Sequence, residues 1–286
     1  MFDASMQNTH STERESPCVP PGRELASEPM KPVLIVLHQE RSTAGRIGRL
    51  LESRGHRLDI RRPRFGDPLP KTLRGHAGSI IFGGPMSAND PDDYIRREID
   101  WIGVPLREGK PFLGVCLGAQ MLARHLGERV FTEREGRAEI GYYPIEPTEA
   151  GRALCDAPFP ERVYQWHREG FDPPCGATVL ARGVDFPTQA ILLGHNAVGL
   201  QFHPEVTYAM MCRWTTRAVD RMAAPGAQPG PAHLEGWYRY DPSIDRWIEA
   251  FLDRWLAPDA AAPRESAAFA PRGASQAVDC EARATG

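Results

Sequence analysis

The sequence predicts an α/β protein with a doubly wound, mostly parallel β-sheet, and two observations lead to this fold class. Short apolar runs such as "VLIVL" (33–37) and "PFLGVC" (111–116) contain few polar residues, which is typical of strands buried on both faces of a parallel sheet. Each of these runs is followed by a segment with helical periodicity. Strands that alternate with helices along the chain build a parallel sheet with helices on its faces.

Boundary residues justify the individual elements in the first half of the chain. The helix predicted at 43–55 ends at Gly55, and the helix predicted at 91–109 begins with a proline and acidic residues and ends at Gly109. These are the residue types that favour helix starts and stops. Strands are predicted at 32–37, 56–60, 78–85 and 111–116, and helices at 43–55, 91–109 and 117–127.

The second half of the chain has a different pattern, which predicts an antiparallel extension of the sheet. Short strand-like segments are separated by Gly, Pro and Asn: "AEIGYYPIEP", "ERVYQWH", "ATVLAR", "TQAILLG" and "AVGLQFHPE". Two C-terminal helices are then predicted at 207–222 and 242–256. A Pro- and Gly-rich linker is predicted between them at 224–236.

Composition sets the expected domain organisation. Residues 1–30 and 257–286 are rich in Pro, Ala or small polar residues and show no periodic apolar pattern, so we expect a disordered N-terminal extension and a disordered C-terminal tail. One domain is expected between them, at 31–256. The N-terminus lacks the basic start and apolar core of a secretory signal.

Charge and cysteine usage exclude several classes of partner. With 34 Lys and Arg against 37 Asp and Glu the net charge is −3, which gives no reason to expect nucleic acid or an anionic membrane. No apolar stretch approaches the roughly 20 residues that span a bilayer. Six irregularly spaced cysteines predict reduced thiols and a cytoplasmic location. No cofactor motif or close pair of metal ligands is present, so neither cofactor nor metal is predicted.

Cys116 differs from the other cysteines because glycines flank it in "GVCLG" (114–118), where a predicted strand meets a predicted helix. This arrangement resembles the Gly-x-Ser-x-Gly nucleophile elbow, in which a tight turn leaves no room for flanking side chains and exposes the nucleophile. The helix N-terminus favours the thiolate. The backbone N–H of Leu117 is a candidate donor to an oxyanion.

A nucleophilic thiol needs a base, and His203 is the candidate. It lies in "GLQFHPE" (199–205), where a predicted strand ends and where Glu205 can hold the imidazole and stabilise its protonated form. A second oxyanion donor is predicted at Gly84 in "FGGP" (82–85), where a glycine presents its N–H without a side chain.

The three motifs "FGGPMS", "GVCLGAQ" and "QFHPE", in this order, resemble a class I glutamine amidotransferase domain. Within that family the chain is most similar to the stand-alone, GMP-synthase-like members, which also carry "EIGYYPI" and a "WH" segment before Phe-Asp. The resemblance covers about residues 31–256 and implies a flavodoxin-like sheet. It implies a Cys-His-Glu triad of Cys116, His203 and Glu205, with an oxyanion hole at Gly84 and Leu117. It also implies that Cys116 forms a γ-glutamyl thioester from glutamine and releases ammonia.

The resemblance further implies that Gln120 and the "QWHRE" segment with Trp166 and His167 bind substrate. Typical members read Trp-His-Gly-Asp-Thr, whereas this chain reads Trp-His-Arg-Glu-Gly at 166–170. Arg168 therefore adds charge near the expected substrate site, and an additional carboxylate on the donor is one hypothesis. Three alternatives stay open: a glutaminase subunit that feeds ammonia to a separate synthase, a γ-glutamyl peptidase, and a non-catalytic binding module.

Overall fold

A computed structural model describes residues 30–257 of the chain. The predicted disordered segments at 1–30 and 257–286 lie outside this range, apart from residues 30 and 257 themselves. The strands are β1 (Val33–Val36), β2 (Leu58–Arg61), β3 (Gly78–Ile81), β4 (Phe112–Val115), β5 (Val130–Thr132), β6 (Glu139–Pro144), β7 (Glu146–Pro147), β8 (Arg162–His167), β9 (Glu169–Phe171), β10 (Ala177–Arg182), β11 (Ala190–Leu193) and β12 (Ala197–Leu200).

The helices alternate with the first strands and then close the chain. They are α1 (Gly45–Ser53), α2 (Asp93–Trp101), α3 (Gly103–Arg107), α4 (Leu117–His125), α5 (Glu149–Arg152), α6 (Tyr208–Arg217) and α7 (Gly230–Leu256). Two short 3-10 helices cover Pro63–Phe65 and Val219–Ala223.

An eight-stranded sheet forms the centre, in the order β2-β1-β3-β4-β12-β11-β10-β7. Strands β2, β1, β3, β4 and β12 pair in parallel, whereas β11, β10 and β7 continue the sheet in antiparallel pairs. The predicted α/β fold with an antiparallel extension is therefore confirmed. Two small antiparallel pairs, β5–β9 and β6–β8, lie outside this sheet.

Helices cover both faces of the sheet, as alternate burial along β1 shows. Val33 and Ile35 pack in a cluster with residues of α1 and α7, whereas Leu34 and Val36 pack in a cluster with residues of α2 and α4. All four side chains are fully buried. A continuous apolar run is required for such a strand because neither of its faces reaches water.

Two helix boundaries differ from the sequence predictions. The helix predicted at 91–109 is two helices, which meet at Ile102. Pro105 has no N–H to donate to the carbonyl of Trp101, four residues earlier, so the hydrogen-bond pattern of one continuous helix is interrupted between α2 and α3. The linker predicted at 224–236 is also wrong in its second half, because α7 already begins at Gly230.

Helix α7 begins early because tertiary packing outweighs its local propensity. It contains Gly236 and Pro242, which normally weaken a helix. Gly236 has a packing reason, since a Cβ atom at this position would lie 2.3 Å from the ring of Tyr142. Farther along α7, Trp247 is fully buried and stacks on Phe251 at 5.3 Å between ring centroids.

Among the four cysteines within residues 30–257, one departs from the expectation of reduced thiols. Cys116, Cys155 and Cys212 are free, but Cys175 is disulfide-bonded. Pairing depends on the separation of two Cα atoms in the fold, which irregular spacing along the sequence does not reveal. Among residues 30–257, no helix has the length and apolar character needed to cross a bilayer.

Replacing Trp247 by Ala tests the packing of α7 on the sheet. We expect the free energy of unfolding to fall by about 3–5 kcal/mol, because a large buried ring is lost and a cavity remains. The neighbouring Arg246 is exposed, and Arg246→Ala should change stability by less than about 0.5 kcal/mol. Urea unfolding of the two variants measures this difference, and similar losses in both would contradict the packing described.

Candidate active site

The three motifs singled out in the sequence meet at one edge of the sheet. Strand β4 lies between β3 and β12, with Gly114 opposite Ile81 on one side and Val115 opposite Leu200 on the other. The segments that follow these strands contain Gly84, Cys116 and His203. In a parallel sheet the carboxyl ends of neighbouring strands form a common crevice, which is where ligands bind in folds of this type.

Cys116 occupies a strained position between β4 and α4. Its backbone angles are φ 51° and ψ −104°, and it is the one non-glycine residue with positive φ in the described part of the chain. Its N–H donates to the carbonyl of Leu200 at 2.7 Å, and its carbonyl accepts from Gln120 at 3.0 Å. Such strain persists only where surrounding structure imposes it, and it is concentrated at functional sites.

The glycines on either side of Cys116 are required by close backbone contacts. A Cβ atom on Gly114 would lie 2.5 Å from the carbonyl carbon of Gly118. A Cβ atom on Gly118 would lie 2.1 Å from the carbonyl oxygen of Ile81. No side chain fits at either position, so the expectation of a tight strand-to-helix turn is confirmed.

His203 and Glu205 form a buried pair beside this turn. The imidazole Nδ1 donates to the Glu205 carboxylate at 2.8 Å, and both residues are at most 5% exposed. Burial alone would disfavour the imidazolium, but the charges of Glu205 and Cys116 outweigh it and raise the pKa of His203 to about 10. The His203–Glu205 pair therefore favours a positively charged ring next to Cys116.

The other nitrogen of His203 is available to the thiol. Nε2 is buried and makes no hydrogen bond of normal length among residues 30–257, yet the Cys116 side chain is close enough to contribute to the raised pKa of His203. A Cβ atom on Gly83 would lie 2.8 Å from Cε1 of His203 and 3.4 Å from Cβ of Cys116, so Gly83 lies directly against both residues. Catalytic hydrogen bonds are often long in ligand-free sites and shorten when substrate binds.

Backbone contacts fix the segment that contains the pair. The N–H of His203 donates to the carbonyl of Tyr164 at 2.9 Å, and the N–H of Arg46 donates to the carbonyl of Glu205 at 2.8 Å. The Arg46 side chain bonds both carboxylate oxygens of Asp241, at 2.7 and 2.6 Å. Helices α1 and α7 thus hold the residue pair through one buried ion pair.

The "FGGP" segment contacts a second buried pair, His38 and Glu98, which no sequence motif indicates. His38 donates from Nδ1 to the carbonyl of Gly83 at 3.2 Å, and its Nε2 lies 2.7 Å from the carboxylate of Glu98. Both side chains are fully buried. His38 directly follows the apolar run of β1. A polar residue at the end of a buried strand is the sequence feature that could have identified it.

A cavity of about 480 Å³ opens above Cys116. Four of the residues predicted to act with Cys116 line it: Gly84, Trp166, His203 and Glu205. Leu117, Gln120 and His167 are not among its lining residues. The N–H of Leu117 stays adjacent to Cys116 in the chain, at the first position of α4.

Gln120 and His167 bond to protein groups instead. Gln120 donates to the carbonyl of Glu169 at 2.8 Å, and His167 lies 3.0 Å from the same carbonyl oxygen through Nδ1. His167 also lies 3.0 Å from the carboxylate of Glu139 through Nε2. Both side chains therefore fix the segment at 167–169, and a direct role in substrate binding stays a prediction.

The family model for class-I glutamine amidotransferases matches residues 36–211, which include all three motifs. The chain belongs to this family.

Curated relatives agree with the family and differ in length. The glutamine amidotransferase-like protein YfeJ of Salmonella typhimurium is 32% identical over 183 residues, covering 61% of this chain and 76% of that protein. The GMP synthase of Aeropyrum pernix is 34% identical over 148 residues, covering 51% of this chain but only 28% of the synthase. The similarity therefore spans little more than a quarter of that synthase.

Solved structures share the fold of this amidotransferase domain. A glutamine amidotransferase from Methylobacillus flagellatus superposes with a TM-score of 0.74 and 26% identity, covering 79% of this chain and 94% of that chain. A glutamine amidotransferase from Thermotoga maritima gives a TM-score of 0.71 and 30% identity, covering 79% of this chain and 98% of that chain.

Gly118→Ala tests the contact that shapes the turn of this amidotransferase. We expect a loss of about 1–3 kcal/mol or more in the free energy of unfolding, since the new methyl group collides with a backbone oxygen that cannot move freely. Gly75→Ala is the matched control, because a Cβ atom there would meet nothing within 4 Å. Equal stability of the two variants in urea unfolding would contradict the proposed close contact.

Glu205→Gln tests the electrostatics of His203. The neutral amide no longer stabilises the imidazolium, so we expect the pKa of His203 to fall by about 1 to 3 pH units from its raised value of about 10. The ring should therefore lose its proton at a lower pH, which an NMR titration of the histidine rings measures. The exposed Glu161 provides the control Glu161→Gln, and an unchanged His203 titration in Glu205→Gln would refute the pairing.

Proposed function

We propose that this chain hydrolyses the side-chain amide of glutamine, through a γ-glutamyl thioester on Cys116, to glutamate and ammonia. The observation that carries the proposal is the forced backbone of Cys116 beside the buried His203–Glu205 pair. Membership of the class-I glutamine amidotransferase family supports the same reaction.

In the first half-reaction the Cys116 thiolate attacks the γ-carboxamide carbon of glutamine. The carbonyl oxygen becomes an oxyanion, for which the N–H groups of Leu117 and Gly84 are the proposed donors. His203 gives its proton to the nitrogen as the carbon–nitrogen bond breaks, and ammonia leaves. The product on the protein is a thioester between Cys116 and the γ-carboxyl group.

In the second half-reaction water attacks the thioester. His203, now neutral, accepts a proton from the water and returns one to the thiolate or keeps it as the imidazolium. Glutamate leaves, and one water molecule has been consumed for each amide bond broken. Glu205 stabilises the imidazolium in both halves through the 2.8 Å hydrogen bond.

The proposed substrate contacts differ in how directly they act. Trp166 lines the cavity and is the proposed wall for the glutamyl chain. Gln120 and His167 act through the backbone of Glu169, whose position they fix. The catalytic unit is proposed to span residues 31–256, with the segments at 1–30 and 257–286 outside it.

Two features of the chain bear on its partners and location. GMP synthases are among the relatives that match this chain, so we propose that a separate synthase subunit takes up the ammonia or that it is released. The cytoplasmic location stays a prediction, since one of the cysteines on which it rested is disulfide-bonded.

Cys116→Ala tests the proposed function. Glutamate release from glutamine should fall by about 10⁴-fold or more, because the nucleophile is removed. Cys155, which is also free but lies away from the cavity, supplies the control Cys155→Ala, and this variant should keep its activity. A glutamine-like diazoketone should label Cys116 and not Cys155 in mass spectrometry. If the parent protein releases no glutamate from any γ-glutamyl compound, the proposal is refuted and the non-catalytic binding module is the alternative that stands.

A further inference from the structure

Four arginine side chains line the cavity above Cys116, although none of them lies in a sequence motif of the site. They are Arg41, Arg213, Arg217 and Arg221. Arginine presents a planar, permanently charged fork that binds carboxylates through two parallel hydrogen bonds. Because all four line one cavity, they indicate that a negatively charged group binds there.

The arginines come from different parts of the fold and share one space. Arg213 and Arg217 are one turn apart on α6, so they lie on the same face of that helix. Arg221 follows in the 3-10 helix at Val219–Ala223. Arg41 lies in the loop after β1, together with Ser42 and Thr43, which also line the cavity.

These positive charges have no protein counter-charge. Within residues 30–257, none of the four arginines has an ion pair with a carboxylate or a side-chain hydrogen bond to the protein. The one carboxylate that lines the cavity belongs to Glu205, which is paired with His203. All four side chains are exposed and therefore also solvated by water, whereas the buried Arg46 is paired with Asp241.

Arg221 connects this group of charges to the reaction centre. Although the residue is exposed overall, partial burial of its surroundings and the positive charge of Arg168 lower the pKa of its guanidinium, and the charge of Cys116 opposes this. Arg221 therefore lies within electrostatic range of both residues. Arg168, which stands where typical family members have a glycine, does not line the cavity but acts on Arg221 through its charge.

Free glutamine adds no net negative charge to offset these arginines, because its α-carboxylate is balanced by its own α-ammonium group. Several guanidinium groups around one cavity repel each other unless an anion lies between them. A cavity of about 480 Å³ also falls in the range that holds ligands considerably larger than glutamine. An additional anionic group on the donor would balance the charge of the arginines and would fill more of the cavity.

On the basis of the proposed function, we propose that the preferred donor is a γ-glutamyl amide whose amine portion carries a carboxylate, such as a γ-glutamyl amino acid. The thiolate of Cys116 attacks the γ-carbonyl carbon, and the bond to the amine nitrogen breaks. His203 protonates that nitrogen, so a free amino acid leaves in place of ammonia. Water then hydrolyses the thioester to glutamate.

Two donors that differ in a single carboxylate test the inference. γ-Glutamylglycine carries the carboxylate, whereas γ-glutamylglycinamide replaces it with a neutral amide. We expect kcat/KM to be at least about 10-fold higher for γ-glutamylglycine at low salt, and we expect the ratio to fall as salt screens the arginines. Release of glutamate is measured for both compounds and for glutamine.

Arginine variants test whether the arginines of the cavity cause the preference for γ-glutamylglycine. Arg217→Gln and Arg221→Gln should each lower the ratio of the two kcat/KM values several-fold, and Arg217→Lys should restore part of it. The readout is a ratio within one protein sample, so partial misfolding alone does not change it. The control Arg246→Gln removes an exposed arginine of α7 outside the cavity lining, and it should leave the ratio unchanged.

The possible failures are distinguishable. A ratio near one in the parent protein, with glutamate released from glutamine, would overturn the inference and leave the proposed function intact. An equal fall of the ratio in Arg246→Gln, or no change in the arginine variants, would also overturn it. No glutamate from any of the three compounds would refute the proposed function itself.

Discussion

The contact between the first turn of α4 and the end of β3 is the constraint on which the site depends. Gly118 approaches the carbonyl oxygen of Ile81 so closely that a methyl group would lie 2.1 Å from it. This approach draws the helix N-terminus onto the sheet edge and forces Cys116 into its positive φ. The strain is localised in one residue, and the hydrogen bonds of the neighbouring strands and helix stabilise it. Contacts of the backbone therefore determine the position of the thiol.

The electrostatic part of the site depends on the helices that cover the same edge. Arg46 of α1 holds the backbone of Glu205 with its N–H and holds Asp241 of α7 with its side chain. Burial raises the pKa of Asp241, and the Arg46 charge opposes this. Trp247 of α7 packs against Phe202, the residue before His203, at 5.8 Å between ring centroids. The long C-terminal helix thus stabilises the His203–Glu205 pair as well as the sheet.

The sequence predicted the parts of the fold that depend on local patterns. Apolar runs and glycine caps placed the parallel strands, and the flanking glycines placed Cys116 at a turn. Other features depend on contacts between distant residues and have no local pattern. Gly230 begins a helix inside a segment rich in Pro and Gly because α7 packs on the sheet. The bond from His38 to the carbonyl of Gly83 joins residues 45 positions apart, and no spacing rule connects them.

The arginines of the cavity are a further feature that the sequence alone does not predict, and they concern substrate recognition. In the sequence each of them is one of many charged residues with a net charge near zero, and an exposed arginine normally needs no explanation. Only the fold brings Arg41 to the same cavity as Arg213 and Arg217 of α6 and leaves these side chains without a paired carboxylate. The nucleophile is fixed by backbone contacts, whereas the charges around it belong to side chains on a loop and on α6. Substitutions at those side chains could therefore change the preferred donor without disturbing the turn that holds Cys116.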